Sequence, residues 1–227
     1  MRLDPILFLV FPVIILSIVV HECAHGLAAL WCGDTTARDR GRLTLNPLRH
    51  LDPVGSVLLP GLLMLFRAPF LFGWAKPVPV DWARLRDPRN DPVKVALAGP
   101  AANALLALGF AALVRFAPPA PGPGEAGAWW GFFAPLGEMG VVGVISNCAL
   151  ALFNLIPIPP LDGSWVLMRF LPMRHILALQ QFRLLGIVLV MVVLAVPAVS
   201  HVVIYAPLRV AVRACLGLFG VTAGGLL

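Results

Sequence analysis

The sequence predicts an all-α polytopic membrane protein, and three observations carry that expectation. Of 227 residues, 59% are apolar and only 12% are charged. Soluble domains run nearer half apolar and a quarter charged, so too little polar surface exists here to cover a water-facing globule. Mean hydropathy is +0.90. The 17 Lys and Arg fall almost entirely in short connections between apolar runs, which is how membrane proteins set their orientation. The net charge of +6 therefore reads as topology, and no nucleic-acid partner is expected. Nearly every long stretch is bilayer-grade. The expectation is one membrane-embedded domain over 1–227, with five to six transmembrane helices and a small β-hairpin after the first.

The first apolar segment runs from Pro5 to about Cys32, long enough at 1.5 Å per residue to cross a hydrocarbon core of about 30 Å. Asp4-Pro5 starts it, since Asp caps free amides and Pro suits the first helical turn. No small-residue cleavage site follows the run, so it is expected to stay attached as a helix rather than leave as a signal peptide. Asp52-Pro53 and Asp91-Pro92 repeat the same punctuation ahead of runs at 54–75 and 93–116 and mark two more helix starts. A fourth run, 138–157, ends at Pro157-Ile158-Pro159-Pro160. A fifth covers 184–206 with a kink at Pro197, and 207–227, carrying Arg209 and Arg213, is either interfacial or a sixth span.

Between the first two helices, Asp39-Arg40-Gly41 looks like a turn and Arg42-Leu43-Thr44-Leu45 alternates polar with apolar, which is the hairpin signal. The loop 117–137 has no Lys or Arg, whereas 76–92 and 169–183 are basic. The basic loops are therefore placed in the cytoplasm. The Arg-bearing loop 33–50 would fall on the wrong side if 54–75 crossed fully, and a re-entrant second segment removes the conflict. Cys23, Cys32, Cys148 and Cys215 show no repeated spacing and read as reduced small hydrophobes.

The most informative stretch is His21-Glu22-Cys23-Ala24-His25. Positions four apart share one helix face, so both imidazoles can reach one metal ion while Glu22 points beside them. With five His in the chain, a chance match is on the order of 10⁻³. His21 lies about 24 Å along the helix from Pro5, at membrane depth, where an ionisable cluster is costly and marks function. The competing reading is a satisfied polar patch between helices. Catalytic zinc normally takes three protein ligands and one water. Asp162, just beyond the proline break, is either the third ligand or merely the cap of a short helix. Asn154 is either interhelical glue or a donor in the site. Asn147, seven residues earlier on nearly the same face, indicates that this helix turns amides towards something polar. Gly99, Asn103 and Ala107 at four-residue spacing read as close helix packing. His50, His175 and His201 read as structural or interfacial.

His21-Glu22-Cys23-Ala24-His25-Gly26 together with Asn154-Leu155-Ile156-Pro157-Ile158-Pro159-Pro160-Leu161-Asp162-Gly163 resembles the paired signature of the site-2 protease family, the intramembrane zinc metalloproteases. The likeness continues through Gly41–Pro47, Gly73–Pro79 and Gly99–Asn103. It implies a single zinc ion held by His21, His25 and Asp162, Glu22 as general base, and Asn154 as an oxyanion or substrate contact. It also implies a transmembrane protein as substrate and an integral protein of a prokaryotic cytoplasmic membrane. Two departures are expected, namely a minimal form without PDZ or CBS domains and a first span leading straight into the motif. The alternative is a non-proteolytic zinc-binding protein or transporter with an ion site at the broken helix, disfavoured because no internal repeat relates the two halves. A membrane di-iron site would need many more histidines than five.

Overall fold

The computed structural model describes residues 6–66, 73–117, 128–181 and 183–222. The first span is helix α1 (Ile6–Trp31). It stops at Gly33, whose φ of +109° turns the chain so that the Gly33 amide bonds Leu30 O and the Asp34 amide bonds Ala29 O. A residue without Cβ takes that left-handed turn at least cost.

The expected hairpin is not formed, and no strand occurs among the described residues. Asp39-Arg40-Gly41 is instead the end of a single helical turn, α2 (Thr36–Asp39). Gly41 at φ +62° closes it, with Gly41 N–H on Arg38 O and Arg42 N–H on Ala37 O, both 2.9 Å. That pairing is a helix C-terminal motif rather than a strand turn. The alternation at 42–45 has a different origin from a pleated strand. Arg42 turns inward to donate to Lys76 O at 2.8 Å, and Thr44 O accepts from the Cys23 thiol at 3.1 Å and from His50 Nε2 at 2.8 Å. Backbone acceptors are taken by side chains, so no ladder can form.

Asp52 caps the next element as its sequence suggests, accepting from Val54 N and Gly55 N. A π-helical turn (Pro53–Leu58) runs into α3 (Leu59–Leu65). The apolar helix Pro53–Leu65 reaches about 20 Å at 1.5 Å per residue, well short of a crossing. The chain then returns to its starting point, because Trp74 N–H bonds Gly55 O at 3.1 Å and Ser56 Oγ–H bonds Trp74 O at 2.9 Å. The two ends of the 55–74 segment are thus hydrogen-bonded together, as a re-entrant segment requires. This resolves the charge conflict, since 33–50 and the basic 76–92 then lie on one side. Residues 67–72 fall outside the described residues.

Helices α4 (Asp91–Phe116) and α5 (Ala128–Asn154) follow. After the proline break come α6 (Gly163–Met168), α7 (Met173–Gln181) and α8 (Arg183–Ala195). The expected run at 184–206 is split rather than kinked. Pro197 donates no amide and drives Val196 into extended backbone, φ −94° and ψ 107°, as steric contact with the proline ring requires. The second half joins what followed it: α9 (Pro197–Ser200), a π turn (His201–Tyr205) and α10 (Ala206–Leu218) make one span. Among the described residues, four helices are long and apolar enough to cross a membrane, within α1, α4, α5 and Pro197–Leu218. That corrects the expected five to six.

Small residues let these helices approach closely. Ala107 and Ala111 of α4, Val144 and Cys148 of α5, and Val212 and Leu216 of α10 form one core, and a Cβ at Gly143 would run into the Phe110 ring. Lipid offers apolar side chains no reason to leave it, so this close backbone approach is what holds the bundle. Outside the bundle, buried Asp34 ties the end of α1 to the returning segment. It accepts from Thr36 N at 2.9 Å, Thr36 Oγ1 at 2.5 Å and Asp81 N at 2.8 Å.

Single cysteines at positions 40 and 86 should react with a membrane-impermeant maleimide from the same side, and one at position 121 from the other. Opposite-side labelling of 40 and 86 would show that 55–74 crosses. Burial pushes the Asp34 carboxyl up, but its hydrogen bonds from Thr36 and Asp81 outweigh that and hold it below the usual carboxylate value. A lowered folded-state value stabilises above the unfolded value of about 3.9 and is lost as pH falls through the lowered one. Asp34→Ala should therefore lower the unfolding temperature at pH 7, with the gap from wild type narrowing as pH falls through the lowered Asp34 value.

Candidate metal centre

Two elements deliver one ligand set. On α1, His21 and His25 stand one turn apart with ring centroids 4.6 Å from each other and planes at 88°. The proline break swings Asp162 over them. Gly163 permits this, because a Cβ there would collide with the Leu155 carbonyl at the end of α5. Asp162 precedes α6, yet its side chain makes no capping hydrogen bond. The helix-cap reading therefore fails, and the carboxylate faces the histidines instead. Asp162 Oδ2 lies 3.2 Å from His21 Nε2 and 3.3 Å from His25 Nε2, and the two Nε2 atoms are 3.0 Å apart.

The other face of each imidazole decides what these atoms are. His25 Nδ1 lies 2.7 Å from Val95 O, and His21 Nδ1 lies 2.6 Å from Asn103 Oδ1. Both partners only accept, so both Nδ1 atoms carry a proton, and in the neutral imidazoles both Nε2 atoms present lone pairs. Two lone pairs and a carboxylate oxygen thus converge with no donor among them, and buried Asp162 Oδ2 has no hydrogen-bond partner. A metal cation satisfies that set. The spacing fits one, since ligands about 2.0–2.1 Å from a tetrahedral ion stand about 3.3 Å from each other. Among the described residues, this is the one group of three such side chains with ligand atoms close enough to share an ion, all within 4.8 Å.

Helix α4 closes over the pair at Gly99. A Cβ at that position would sit 2.5 Å from His25 Nε2 and 2.6 Å from His21 Cε1. The four-residue spacing read as close helix packing is therefore also the clearance that the histidines need. Glu22 stands beside the set, and its Oε2 accepts from Val78 N–H at 2.7 Å. Val78 lies between Pro77 and Pro79, so it supplies the one amide in that tripeptide. The same segment is pinned by Lys76 N–H on His50 O at 2.8 Å, and Trp82 stacks on Trp165 of α6 at 4.1 Å.

Of the residues singled out in the sequence, His21, His25 and Asp162 meet and Glu22 is adjacent to them along the helix. Asn154 is not brought into the cluster, and its amide donates to Leu150 O within its own helix at 3.0 Å. Asn147 does face a polar partner, but a dry one: it bonds Asn103 and Ser17, and all three are fully buried. The sequence marks Asn103 only as part of a helix-packing stripe and Val78 only within Gly73–Pro79, and it does not reveal what either one holds because their partners are distant in the chain. The signal for Asn103 was its amide within an otherwise small-residue stripe. His50, His175 and His201 join no ligand set.

The chain is similar over most of its length to "Putative zinc metalloprotease YwhC" of Bacillus subtilis, at 37% identity over 190 residues, 83% of this chain and 81% of that protein. The chain belongs to the site-2 protease family. "Putative zinc metalloprotease Rip2" of Mycolicibacterium smegmatis is 33% identical over 82% of this chain and 66% of its own. "Putative zinc metalloprotease sll0528" of Synechocystis is 35% identical over 66% of this chain and 28% of its own. No family model matches, and no solved structure does. Within the site-2 protease family, this chain holds its ligand set under α4 without a side chain at residue 99. Gly99→Ala should therefore abolish stoichiometric zinc in the purified protein while sparing helical content. Full zinc occupancy in that variant would contradict the close approach.

Proposed function

We propose that the protein is an intramembrane zinc metalloprotease that hydrolyses peptide bonds within or near transmembrane segments of membrane-protein substrates, in the cytoplasmic membrane of a prokaryote. The observation that carries this reading is the donor-free convergence of His21 Nε2, His25 Nε2 and Asp162 Oδ2 at tetrahedral spacing. Family membership supports zinc as the ion. The depth supports the setting, because His21 lies about 23 Å along α1 from Ile6, inside the first span.

His21, His25 and Asp162 would hold a zinc ion, which when bound would polarise the scissile carbonyl and acidify a water. Glu22 is placed to accept a proton from the attacking water and return it to the leaving amine. Val78 N–H holds one carboxylate oxygen of Glu22, which fixes the side chain and leaves the other oxygen for the proton. Asn154 stands at the end of α5, next to the break that delivers Asp162. Once its amide is released from Leu150 O, it is a neutral donor for a developing oxyanion. A substrate helix must unwind before attack, because its carbonyls are otherwise hidden in its own hydrogen bonds.

The test separates the roles on two readouts, zinc content of the purified protein and cleavage of a transmembrane reporter. Glu22→Gln should keep zinc and lose hydrolysis, since an amide accepts no proton. Retained cleavage would overturn the mechanism, and a zinc-binding transporter would have no hydrolysis to lose. Asp162→Ala should lose both zinc and cleavage. Asn154→Ala should keep zinc and slow turnover by about 10²-fold. Full zinc in the Asp162 variant with depleted zinc in the Asn154 variant would reverse the assignment.

A further inference from the structure

The geometry points to Asn103 as a positioning residue that locks the tautomer of His21, with its own orientation dictated by Asn147 and Ser17 across three helices. The inference rests on the metal-centre reading above and adds to it a role for Asn103, Asn147 and Ser17. Asn103 Nδ2 donates to Ser17 O at 3.2 Å and to Asn147 Oδ1 at 2.8 Å. Asn147 Nδ2 donates to Ser17 Oγ and to Gly143 O, both at 2.9 Å. Ser17 Oγ–H donates to Val13 O at 2.7 Å. Ser17, Asn103 and Asn147 are all 0% exposed, so no water can substitute for a missing partner.

The polarity of this chain of bonds is forced. Two of its end points, Ser17 O on α1 and Gly143 O on α5, are backbone carbonyls that can only accept. If Asn103 flipped, its oxygen would face Ser17 O and Asn147 Oδ1, acceptor against acceptor. If Asn147 flipped in compensation, its oxygen would face Gly143 O. Either arrangement strands buried polar groups, at about 1–3 kcal/mol each. Asn103 Oδ1 is thus compelled to point at His21 Nδ1 and to accept its proton, which leaves Nε2 bare for the metal. The opposite tautomer would put a proton on Nε2 and block the site. His25 needs no such device, because the main-chain Val95 O holds its Nδ1 directly.

A metal-bound imidazole whose second nitrogen loses its acceptor typically loses 10- to 100-fold in metal affinity. The alternative is that Asn103 simply glues α4 to α1 and α5. Two replacements of similar size separate these roles, Asn103→Leu and Asn103→Asp, each as the full-length chain in detergent. Zinc affinity is read by chelator competition at pH 8 and stability by thermal unfolding of the metal-free protein. Leu removes the acceptor and should weaken zinc by about 10-fold or more. Asp keeps an acceptor for His21 Nδ1 and should bind zinc at least as tightly as wild type, while unfolding at lower temperature than the Leu variant. A purely packing role predicts that Leu, which is cheaper to bury than a carboxylate, binds zinc as well as or better than Asp, and that order would overturn the proposal. If Asn103→Leu does not fold, Asn147→Ala decides: weakened zinc supports the lock, and wild-type affinity overturns it. Wild type and His21→Ala are the controls. Failure of wild type to bind zinc would sink the metal-centre reading itself, whereas zinc binding that depends on His21 but not on the Asn103 acceptor would sink only this inference.

Discussion

Two imidazole lone pairs and a carboxylate oxygen held within about 3.3 Å of one another, without a single proton donor between them, are unstable inside a membrane unless a cation joins them. The rest of the molecule is arranged around that demand. Helix α1 must carry both histidines on one face, so it runs unbroken through His25 to Trp31. Helix α4 must pass close enough to hold both Nδ1 atoms, so it offers Gly99 where a side chain would strike the rings. The chain after α5 must bring a carboxylate back across the bundle, and no continuous helix can do that. The Pro157–Pro160 break and the missing side chain of Gly163 are what make the return possible.

The second constraint concerns the base. Glu22 points away from the shared face of His21 and His25, and a carboxylate at that depth must be both held and left partly free. A regular helix has no spare amide to offer it. The re-entrant segment provides one: the chain dips as the Pro53–Leu65 helix, returns to bond Gly55 and Ser56 through Trp74, and then runs extended past α1. Within Pro77-Val78-Pro79 only Val78 keeps an amide, and that donor points at Glu22. The segment that failed to be a span thus serves the site, and it also explains how Arg-bearing 33–50 and basic 76–92 share one side.

The parts of this arrangement that were legible in the sequence are those set by short-range geometry. The four-residue spacing of His21 and His25, the helix starts at Asp52 and Asp91, and the break before Asp162 follow from helix pitch and proline chemistry. The parts that were not legible depend on partners far along the chain. Alternation at Arg42–Leu45 resembles a strand, but Arg42 turns inward to Lys76 O and Thr44 O is consumed by Cys23 and His50, so tertiary bonds replaced the ladder. The apolar run at 184–206 carries no mark of where one helix ends and the next begins except Pro197, whose steric push on Val196 ends the helix rather than bending it. Asn103 lies 82 residues from His21, and its amide stands out in the small-residue stripe without showing which group it faces.

Why a neutral amide should orient His21, when a carboxylate would accept the same proton more strongly, follows from counting charge. A divalent ion at His21, His25 and Asp162 brings +2, and Asp162 with ionised Glu22 brings −2, so the centre is neutral as a whole. A second-sphere carboxylate in place of Asn103 would leave a net negative charge in a medium that solvates it poorly, and would damp the ion's pull on the substrate carbonyl and its water. An amide supplies directionality without charge, but it can point either way, which a carboxylate cannot get wrong. The cost of neutrality is therefore ambiguity, and the buried chain from Asn103 through Asn147 and Ser17 to three backbone carbonyls removes it. Three helices have to be packed correctly before His21 is fixed, so assembly of the α1, α4 and α5 core and assembly of the metal centre are one event.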